Sequence, residues 1–277
     1  MDLREAFNTI SDVVQNRPLP LREFDQIYMK VGDMVIQAEF IARKFEEKSV
    51  VFIGDGDGIS LSVMHLKNTG VFKSGPKSIL VLDFDERIVN AINAFAMSHE
   101  MSHLISARLY NVADPLPDDV ISSNDVFYTN PPWGASNDGE SVNVFVQRGI
   151  EATNESSTGV IVIADDAELV WAKQVLRNVQ LSAIKNGYFV SEMIPELHNY
   201  HLDDTPDLKS CSLIIKRLEP INLPVKSRAI TTDQQNHFYG KNNPLKIRYI
   251  RDQSGLAPNT AFPKSYSMEE FPSESDY

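Results

Sequence analysis

The sequence predicts an α/β protein built on a doubly wound, mostly parallel sheet. Short apolar runs alternate with helical stretches from residue 49 onward, glycine, aspartate or proline bounds each run, and a glycine-rich turn follows the first run. A chain of 277 residues suffices for one main domain with a small appendage. The expected strands lie at 50–53, 79–82, 105–109, 126–129, 160–164, 188–193 and 212–215.

Three regions are expected along the chain. Residues 1–48 form an N-terminal helical segment, because apolar residues recur there at the spacing of one helix face. Residues 49–218 form the Rossmann-like main domain. Residues 219–277 form a loop-rich extension, because Pro, Ser, Asn and acidic residues interrupt every periodic pattern there.

The charge and hydropathy of the chain bear on its partners and location. The formal net charge is −12 with a sequence pI near 4.9, and no run of Lys and Arg would neutralise phosphates, so nucleic acid is not expected as a partner. A small cationic substrate is expected instead. No apolar run approaches the roughly 18 residues that a membrane span requires, and no secretory leader is visible, so we expect a cytoplasmic protein.

The glycine-rich turn GDGDG follows the first expected strand and precedes an expected helix. Glycine lets the backbone pass close to a ligand at the carboxyl edge of the sheet, which predicts a cofactor-binding loop. Asp55 and Asp57 would repel a pyrophosphate, and they favour a ligand with a positive sulfonium and amino group. We expect Asp55 to bind the cofactor and Asp57 to act in catalysis. The glycines expected to bind the cofactor are Gly54, Gly56 and Gly58.

Three further aspartates are cofactor-binding candidates. Asp83 ends the second expected strand, where a carboxylate can accept hydrogen bonds from both ribose hydroxyls of a nucleoside. Asp85 either caps the helix that follows or touches the ligand. Asp114 lies after the third strand, where it either bonds an adenine amino group or forms a turn before Pro115.

The segment after the fourth expected strand contains the candidate catalytic residues Asn130, Pro131, Pro132 and Trp133. The two prolines stiffen the backbone beside a reactive centre. An Asn at the start of such a turn can accept a hydrogen bond from an attacking amine. An aromatic ring three positions later can stack on a flat substrate or hold a cation against its face.

Taken together, these motifs resemble the branched-chain polyamine synthase family over roughly residues 24–217. The resemblance implies a class I S-adenosylmethionine-dependent methyltransferase-like fold, decarboxylated S-adenosylmethionine as the donor, and acidic residues that hold a polyamine. Tyr28, Glu140 and Glu192 lie in the matching segments and are expected to bind the substrate. The segments that carry the resemblance are FDQIYMK, GDGDG, VLDFDER, NPPWGASNDGESVNVFVQRGIEA and EMIPELHNYHL.

One departure from the family leaves the donor open. The family usually carries Asp-Pro-Pro where this chain has Asn130, and Asn-Pro-Pro followed by an aromatic residue is characteristic of amino-group methyltransferases. The leading hypothesis is transfer of an aminopropyl group from decarboxylated S-adenosylmethionine to an amine nitrogen of a polyamine. One alternative is N-methyl transfer from intact S-adenosylmethionine to an amino group. Another is a catalytically silent binding protein of the same fold.

Neither reaction requires a metal ion. His99 and His103 are spaced as two ligands on one helix face, but no third ligand is in register with them, so no metal site is expected. The sequence leaves a homodimer open as the assembly state.

Overall fold

The computed structural model describes residues 1–201, 208–219, 226–239, 243–254 and 265–272. A short 3₁₀-helix lies at Arg22–Phe24. Within the described ranges, none of the helices is both long and apolar enough to cross a bilayer. The α-helices are α1 Leu3–Asn16, α2 Val31–Lys44, α3 Ile59–Asn68, α4 Glu86–Ser98, α5 Glu140–Ala152, α6 Val170–Lys185 and α7 Thr232–Asn236. The strands are β1 Ser49–Ile53, β2 Ser78–Asp83, β3 Ile105–Leu109, β4 Asn124–Thr129, β5 Thr153–Ala164, β6 Tyr188–Asn199, β7 Lys209–Arg217, β8 Ile247–Asp252 and β9 Tyr266–Glu270.

Strands β1 to β7 form one sheet in the order β3-β2-β1-β4-β5-β7-β6. Strands β1 to β5 pair in parallel, and β7 runs antiparallel between β5 and β6. This order, with β7 reversed, is the class I methyltransferase-like arrangement, so the expected fold class is confirmed. Each of the seven strands predicted from the sequence is present.

Both faces of the central strands are buried, which explains why those strands read as unbroken apolar runs. Val50 and Phe52 of β1 belong to a core that includes buried residues of α1 to α4. Val51 and Ile53 belong to a second core, on the other face, with residues of α5 and α6. The carboxyl ends of the parallel strands therefore emerge between two helical layers, where a ligand site is expected in such sheets.

The helices predicted near the N-terminus are present as α1 and α2, and α1 leads directly to the candidate site. Asp2 caps α1 by accepting hydrogen bonds from the backbone of Arg4 and Glu5. After α1 ends, Arg17 donates through Nη1 to the backbone oxygen of Asp57 over 2.8 Å. The segment after α1 thus helps to hold the glycine-rich loop in place through this hydrogen bond. The proposed division into three regions stays a prediction.

The described parts of residues 219–277 are more regular than the sequence predicts. Strands β8 and β9 form an antiparallel pair, and the Ile250 amide donates to the oxygen of Phe84 over 3.1 Å. Arg148, buried in an ion pair with Glu151, donates to the oxygen of Arg228 over 2.7 Å. The sequence signal is weak because most side chains of β8 and β9 are partly or fully exposed, which leaves no apolar alternation.

Candidate active site

A cavity of about 340 Å³ opens at the carboxyl ends of the parallel strands. Its walls come from the loops after β1, β2, β3 and β4, from the segment before α2, and from the C-terminal region. The site therefore joins residues that lie far apart in the sequence. The lining ranges at the strand ends are 54–57, 82–84, 110–112 and 130–135, and the segment before α2 contributes residue 22 and residues 24–28.

The three glycines of the loop after β1 have different structural roles. Gly54 and Gly58 have φ of 75° and 77°, in the left-handed region that glycine adopts without strain. Gly56 has no such φ, and a Cβ added there would lie 3.3 Å from the ring of Tyr28, on the wall of the cavity. The lack of a side chain at Gly56 therefore leaves space beside Tyr28 at the cavity wall. Gly58 is the N-cap residue that precedes α3, lies near Val13 and is outside the described lining of the cavity.

Asp55 occupies the position at the start of α3 where a phosphate would bind in a dinucleotide site. Its carboxylate accepts from the Ile59 amide at 2.9 Å and from the Ser60 amide at 3.0 Å, and also from the Ser60 hydroxyl. Burial raises the pKa of this carboxyl group well above its usual value. These helix N–H groups are thus already satisfied, which supports the prediction that the loop does not bind pyrophosphate.

Asp57 and Asn130 meet at the centre of the site. Asp57 accepts from the Met29 amide at 2.7 Å through Oδ1, and from Nδ2 of Asn130 at 2.5 Å through Oδ2. Burial raises the pKa of Asp57 to about 6. Because the Asn130 amide nitrogen faces Asp57, its Oδ1, which makes no hydrogen bond to a described residue, can accept one from an amine.

Asp83 lies at the end of β2 with its carboxylate held by two backbone amides. Oδ2 accepts from Asp55 at 3.0 Å, and Oδ1 accepts from Asp85 at 2.9 Å. Burial, and then the nearby charge of Asp85, raise the pKa of Asp83 to about 7. Each carboxylate oxygen has a lone pair left, so the pair can accept hydrogen bonds from two adjacent hydroxyl groups of a ribose.

Asp85 caps helix α4, which is one of the two roles that the sequence allows for it. Its Oδ1 accepts from the backbone of Arg87 and caps α4, while the Arg87 guanidinium pairs with both carboxylate oxygens at 2.9 and 2.6 Å. Gln26 also donates to Asp85, over 3.1 Å. Asp85 is fully buried behind the cavity and lies outside its described lining.

Aromatic rings form two walls of the cavity. Trp133 and Tyr200 meet edge to face, with ring centroids 5.1 Å apart at 82°. On the side of Asp83, Phe24 packs against Phe84 with centroids 5.4 Å apart, and Tyr239 lies 6.2 Å from Phe24. Of these five rings, the sequence predicts a role in the site for Trp133 alone.

The motif around Asn130 also holds the C-terminal region in place. Asn137 donates through Nδ2 to the oxygens of His237 and Phe238, over 2.9 and 2.7 Å. The Ser141 hydroxyl donates to the same Phe238 oxygen over 2.9 Å. These bonds fix the segment that brings Phe238 and Tyr239 to the cavity wall. Polar residues just beyond the Pro-Pro turn were a signal for this contact, although nothing in the sequence identifies their partners.

Three other candidates lie outside the described lining of the cavity. Asp114 pairs with Arg248, which donates to one carboxylate oxygen at 3.2 and 3.0 Å, so the geometry gives no support to the adenine contact. Glu140 begins α5 on the surface. Glu192 is exposed and pairs with Lys44. The turn after β3, the start of α5 and strand β6 place Asp114, Glu140 and Glu192, respectively, outside the described lining, and their binding roles stay predictions.

The lining of the cavity is strongly acidic. Among its described residues are four carboxylates and one guanidinium, that of Arg22. The charge of Arg22 acts on Asp25, whose pKa burial raises and Arg22 lowers. Buried carboxylates with raised pKa values are stabilised as anions by a nearby positive charge, so the cavity is suited to a cation. The four carboxylates are Asp25, Asp55, Asp57 and Asp83.

Comparison with known proteins identifies a family that matches this chain. A model of the branched-chain polyamine synthase A C-terminal domain matches residues 5–261. An uncharacterized protein of Methanocaldococcus jannaschii is 24% identical over 89% of this chain and 57% of its own length. N(4)-bis(aminopropyl)spermidine synthase of Thermococcus kodakarensis is 29% identical over 53% of this chain and 39% of its own. The chain thus spans about half the length of the curated relatives it matches.

One solved structure aligns with a TM-score of 0.67 and 21% identity, covering 82% of this chain and 67% of the other. It is the branched-chain polyamine synthase from Thermus thermophilus in complex with N4-aminopropylspermidine and 5′-methylthioadenosine. At this identity the alignment supports the fold.

Proposed function

The chain belongs to the branched-chain polyamine synthase A C-terminal domain family, and on that premise we propose that it transfers an aminopropyl group from decarboxylated S-adenosylmethionine to an amine nitrogen of a polyamine. The observation that carries the proposal is the acidic lining, four carboxylates against one guanidinium, at the carboxyl edge of the sheet. Polyamines and the decarboxylated donor are both multiply charged cations. The named synthase relatives support the same substrate class.

The residues present fit the nucleoside part of such a donor. Asp83 offers two carboxylate oxygens to a ribose, and the rings of Phe24 and Tyr239 provide flat apolar surface near it for a base. Intact S-adenosylmethionine carries a carboxylate as well. Because Asp55 already occupies the N–H groups of α3 and the described lining is acidic, the site favours the donor that lacks this carboxylate.

The reaction needs a neutral amine aligned with the carbon next to sulfur. The bound donor supplies a sulfonium-activated carbon, where an N–C bond forms while the C–S bond breaks and methylthioadenosine leaves. Asn130 can orient the amine by accepting its N–H at Oδ1. Asp57 holds the positive charge that develops on nitrogen and, with a pKa near neutrality, can accept the released proton. Trp133 and the two prolines fix this geometry.

The direct test is to incubate the purified chain with spermidine and either donor, and to identify products by mass spectrometry. We expect addition of an aminopropyl group, with methylthioadenosine formed in equal amount, from the decarboxylated donor. Methylated product from intact S-adenosylmethionine alone would overturn the proposal in favour of N-methyl transfer. Ligand binding without any product would favour a catalytically silent protein.

N-methyl transfer is kept as the second candidate because of one specific observation. The group beside Asp57 is the neutral amide of Asn130, followed by Pro131, Pro132 and a ring at Trp133. An amide can orient a neutral amino group without adding charge to the path of transfer. Amines tested as acceptors should therefore include flat amino-bearing groups such as adenine, alongside spermidine.

A further inference from the structure

Tyr200 forms part of the cavity wall, but its hydroxyl group is bonded away from the cavity. The residue is almost completely buried, and its ring contacts Trp133. Its hydroxyl lies 2.7 Å from Oγ of Ser210, a residue outside the described lining. The ring of Tyr200 therefore faces the cavity, while its hydroxyl group is hydrogen-bonded to Ser210 outside the lining.

The bond to Ser210 is the first of a buried chain of hydrogen bonds. Ser210 Oγ lies 2.8 Å from Nδ1 of His198, and Nε2 of His198 lies 2.8 Å from Oε1 of Gln37. Ser212 donates to the same Gln37 oxygen over 3.1 Å. All of these side chains are fully buried, so the bonds do not compete with water.

The direction of the bonds follows from the chemistry of the groups. Burial lowers the pKa of His198 to about 3, so the ring is neutral and carries one N–H. The Gln37 oxygen can only accept, which places that N–H on Nε2 and makes Nδ1 an acceptor for Ser210. Ser210 then has only lone pairs for Tyr200, so the Tyr200 hydroxyl donates its single proton to Ser210.

A hydroxyl committed in this way cannot donate to Asp57. Tyr200 and Asp57 line the same cavity, and Met29 joins them: its amide donates to Oδ1 of Asp57, and its backbone pairs with that of Tyr200 in an isolated β-bridge. After burial, the charge of Asp57 is the next cause that raises the pKa of Tyr200. If Tyr200 were released, the buried carboxylate of Asp57 would be a strong acceptor for it. The chain of hydrogen bonds therefore leaves Asp57 free to accept from another donor. An ammonium group between Asp57 and the rings of Trp133 and Tyr200 is such a donor.

Resting on the amine site proposed above, we infer that Tyr200 is a specificity-determining residue of the alkylammonium subsite. In this subsite the faces of Trp133 and Tyr200 hold the methylene-flanked cation beside Asp57. His198, Ser210 and Gln37 are positioning residues, which act by holding the Tyr200 hydroxyl away from Asp57.

The test compares three variants by calorimetry, with spermidine and methylthioadenosine as probes. Ser210→Ala removes the acceptor, so Tyr200 competes for Asp57, and spermidine affinity should fall about tenfold, as for loss of one hydrogen bond to a charged group. Adding Tyr200→Phe removes the competing hydroxyl and should return the affinity to within about threefold of wild type. Methylthioadenosine affinity should change less than about twofold throughout, because Asp83 accepts its hydrogen bonds from Asp55 and Asp85 and none from Tyr200, Ser210, His198 or Gln37.

The matched control is Ser212→Ala, a buried Ser on the same strand whose hydroxyl reaches Gln37 without touching Tyr200. It should leave spermidine affinity unchanged. Two results would show that the chain of hydrogen bonds only supports the fold. One is an equal loss of affinity for both ligands in Ser210→Ala, and the other is a spermidine affinity that does not recover when Tyr200→Phe is added. If the wild-type protein binds spermidine but transfers no aminopropyl group, the proposed function is refuted. The role of the hydrogen-bond chain can then still be tested through spermidine affinity. Wild-type chain that binds no spermidine would overturn both.

Discussion

Asn130 donates a hydrogen bond through Nδ2 to Oδ2 of Asp57 over 2.5 Å, and this contact joins the loops after β1 and β4 inside the cavity. The bond fixes the amide orientation, since the nitrogen must face the carboxylate. It also helps to keep Asp57 ionised against the effect of burial. The two side chains therefore form one hydrogen-bonded unit.

Changing Asn130 to Asp separates the two candidate reactions. The new carboxylate would touch Asp57, so the pair would share one proton and its upper pKa would rise. We expect aminopropyl transfer to be retained, with the pH profile of kcat/KM moved to higher pH, because the polyamine cation compensates the added charge. Methyl transfer should fall sharply instead. Asn68→Asp, the same change on the surface, serves as the control in assays with both donors.

Asp83→Ala should weaken methylthioadenosine binding by about 1.5 to 3 kcal/mol, because it removes charged acceptors from the ribose hydroxyls. Asp114→Ala is the matched control and should change the affinity by less than about 0.5 kcal/mol, since that carboxylate pairs with Arg248 outside the described lining. Calorimetry on folded variants gives both values. A larger loss of methylthioadenosine affinity in Asp114→Ala than in Asp83→Ala would show that Asp114, and not Asp83, contacts the nucleoside.

Nucleoside affinity should depend on the ionisation of Asp83. Its pKa in the free site is raised to about 7, and a ribose that donates two hydrogen bonds prefers the ionised form. Methylthioadenosine should therefore bind more tightly as pH rises towards about 7 and level off above it, with a loss approaching tenfold per pH unit below. Titrations across this range in wild type and Asp83→Asn decide the matter, because the variant should show a flatter profile.

The same group should make the ligand-free chain less stable as pH rises. The folded pKa of Asp83, about 7, lies above the usual value of 3.8, so the native state binds more protons than the unfolded state between these values. The contribution of Asp83 to the free energy of unfolding is thus fully present below about pH 4 and is lost as pH rises through about 7. Urea unfolding of wild type and Asp83→Asn at several pH values measures the difference, and an opposite slope would contradict the assignment.

Gly56→Val should weaken donor binding at least tenfold, because a side chain there meets the ring of Tyr28 at the cavity wall. The backbone φ of Gly56 suits other residues, so the variant should fold. Gly70→Ala gives the opposite result: with φ of 79° and open space around it, it should cost about 1 kcal/mol of stability and leave binding intact. Wild-type donor affinity in Gly56→Val would mean that this loop does not bind the ligand.

The sequence was sufficient for the sheet and for the loops at the ends of β1, β2 and β4. Continuous apolar runs identified the strands because both faces of the sheet are buried. Long-range contacts were not predictable. Tyr200 and Tyr239 meet their partners only after the chain has folded, and no local pattern distinguishes them from other core aromatics. Asp114 occupies a typical ligand position, but Arg248, 134 residues later, binds its carboxylate.

Phe238, Tyr239 and Leu245 line the cavity from the C-terminal region, so the cavity is completed late in the synthesis of the chain. A nascent chain that has emerged from the ribosome as far as β7 contains every strand of the main sheet, yet it lacks one wall of the ligand site. Because a ligand stabilises only the state that binds it, a ligand that requires this wall cannot stabilise the sheet at that stage. Packing within the sheet and its helices is then what holds the nascent domain together.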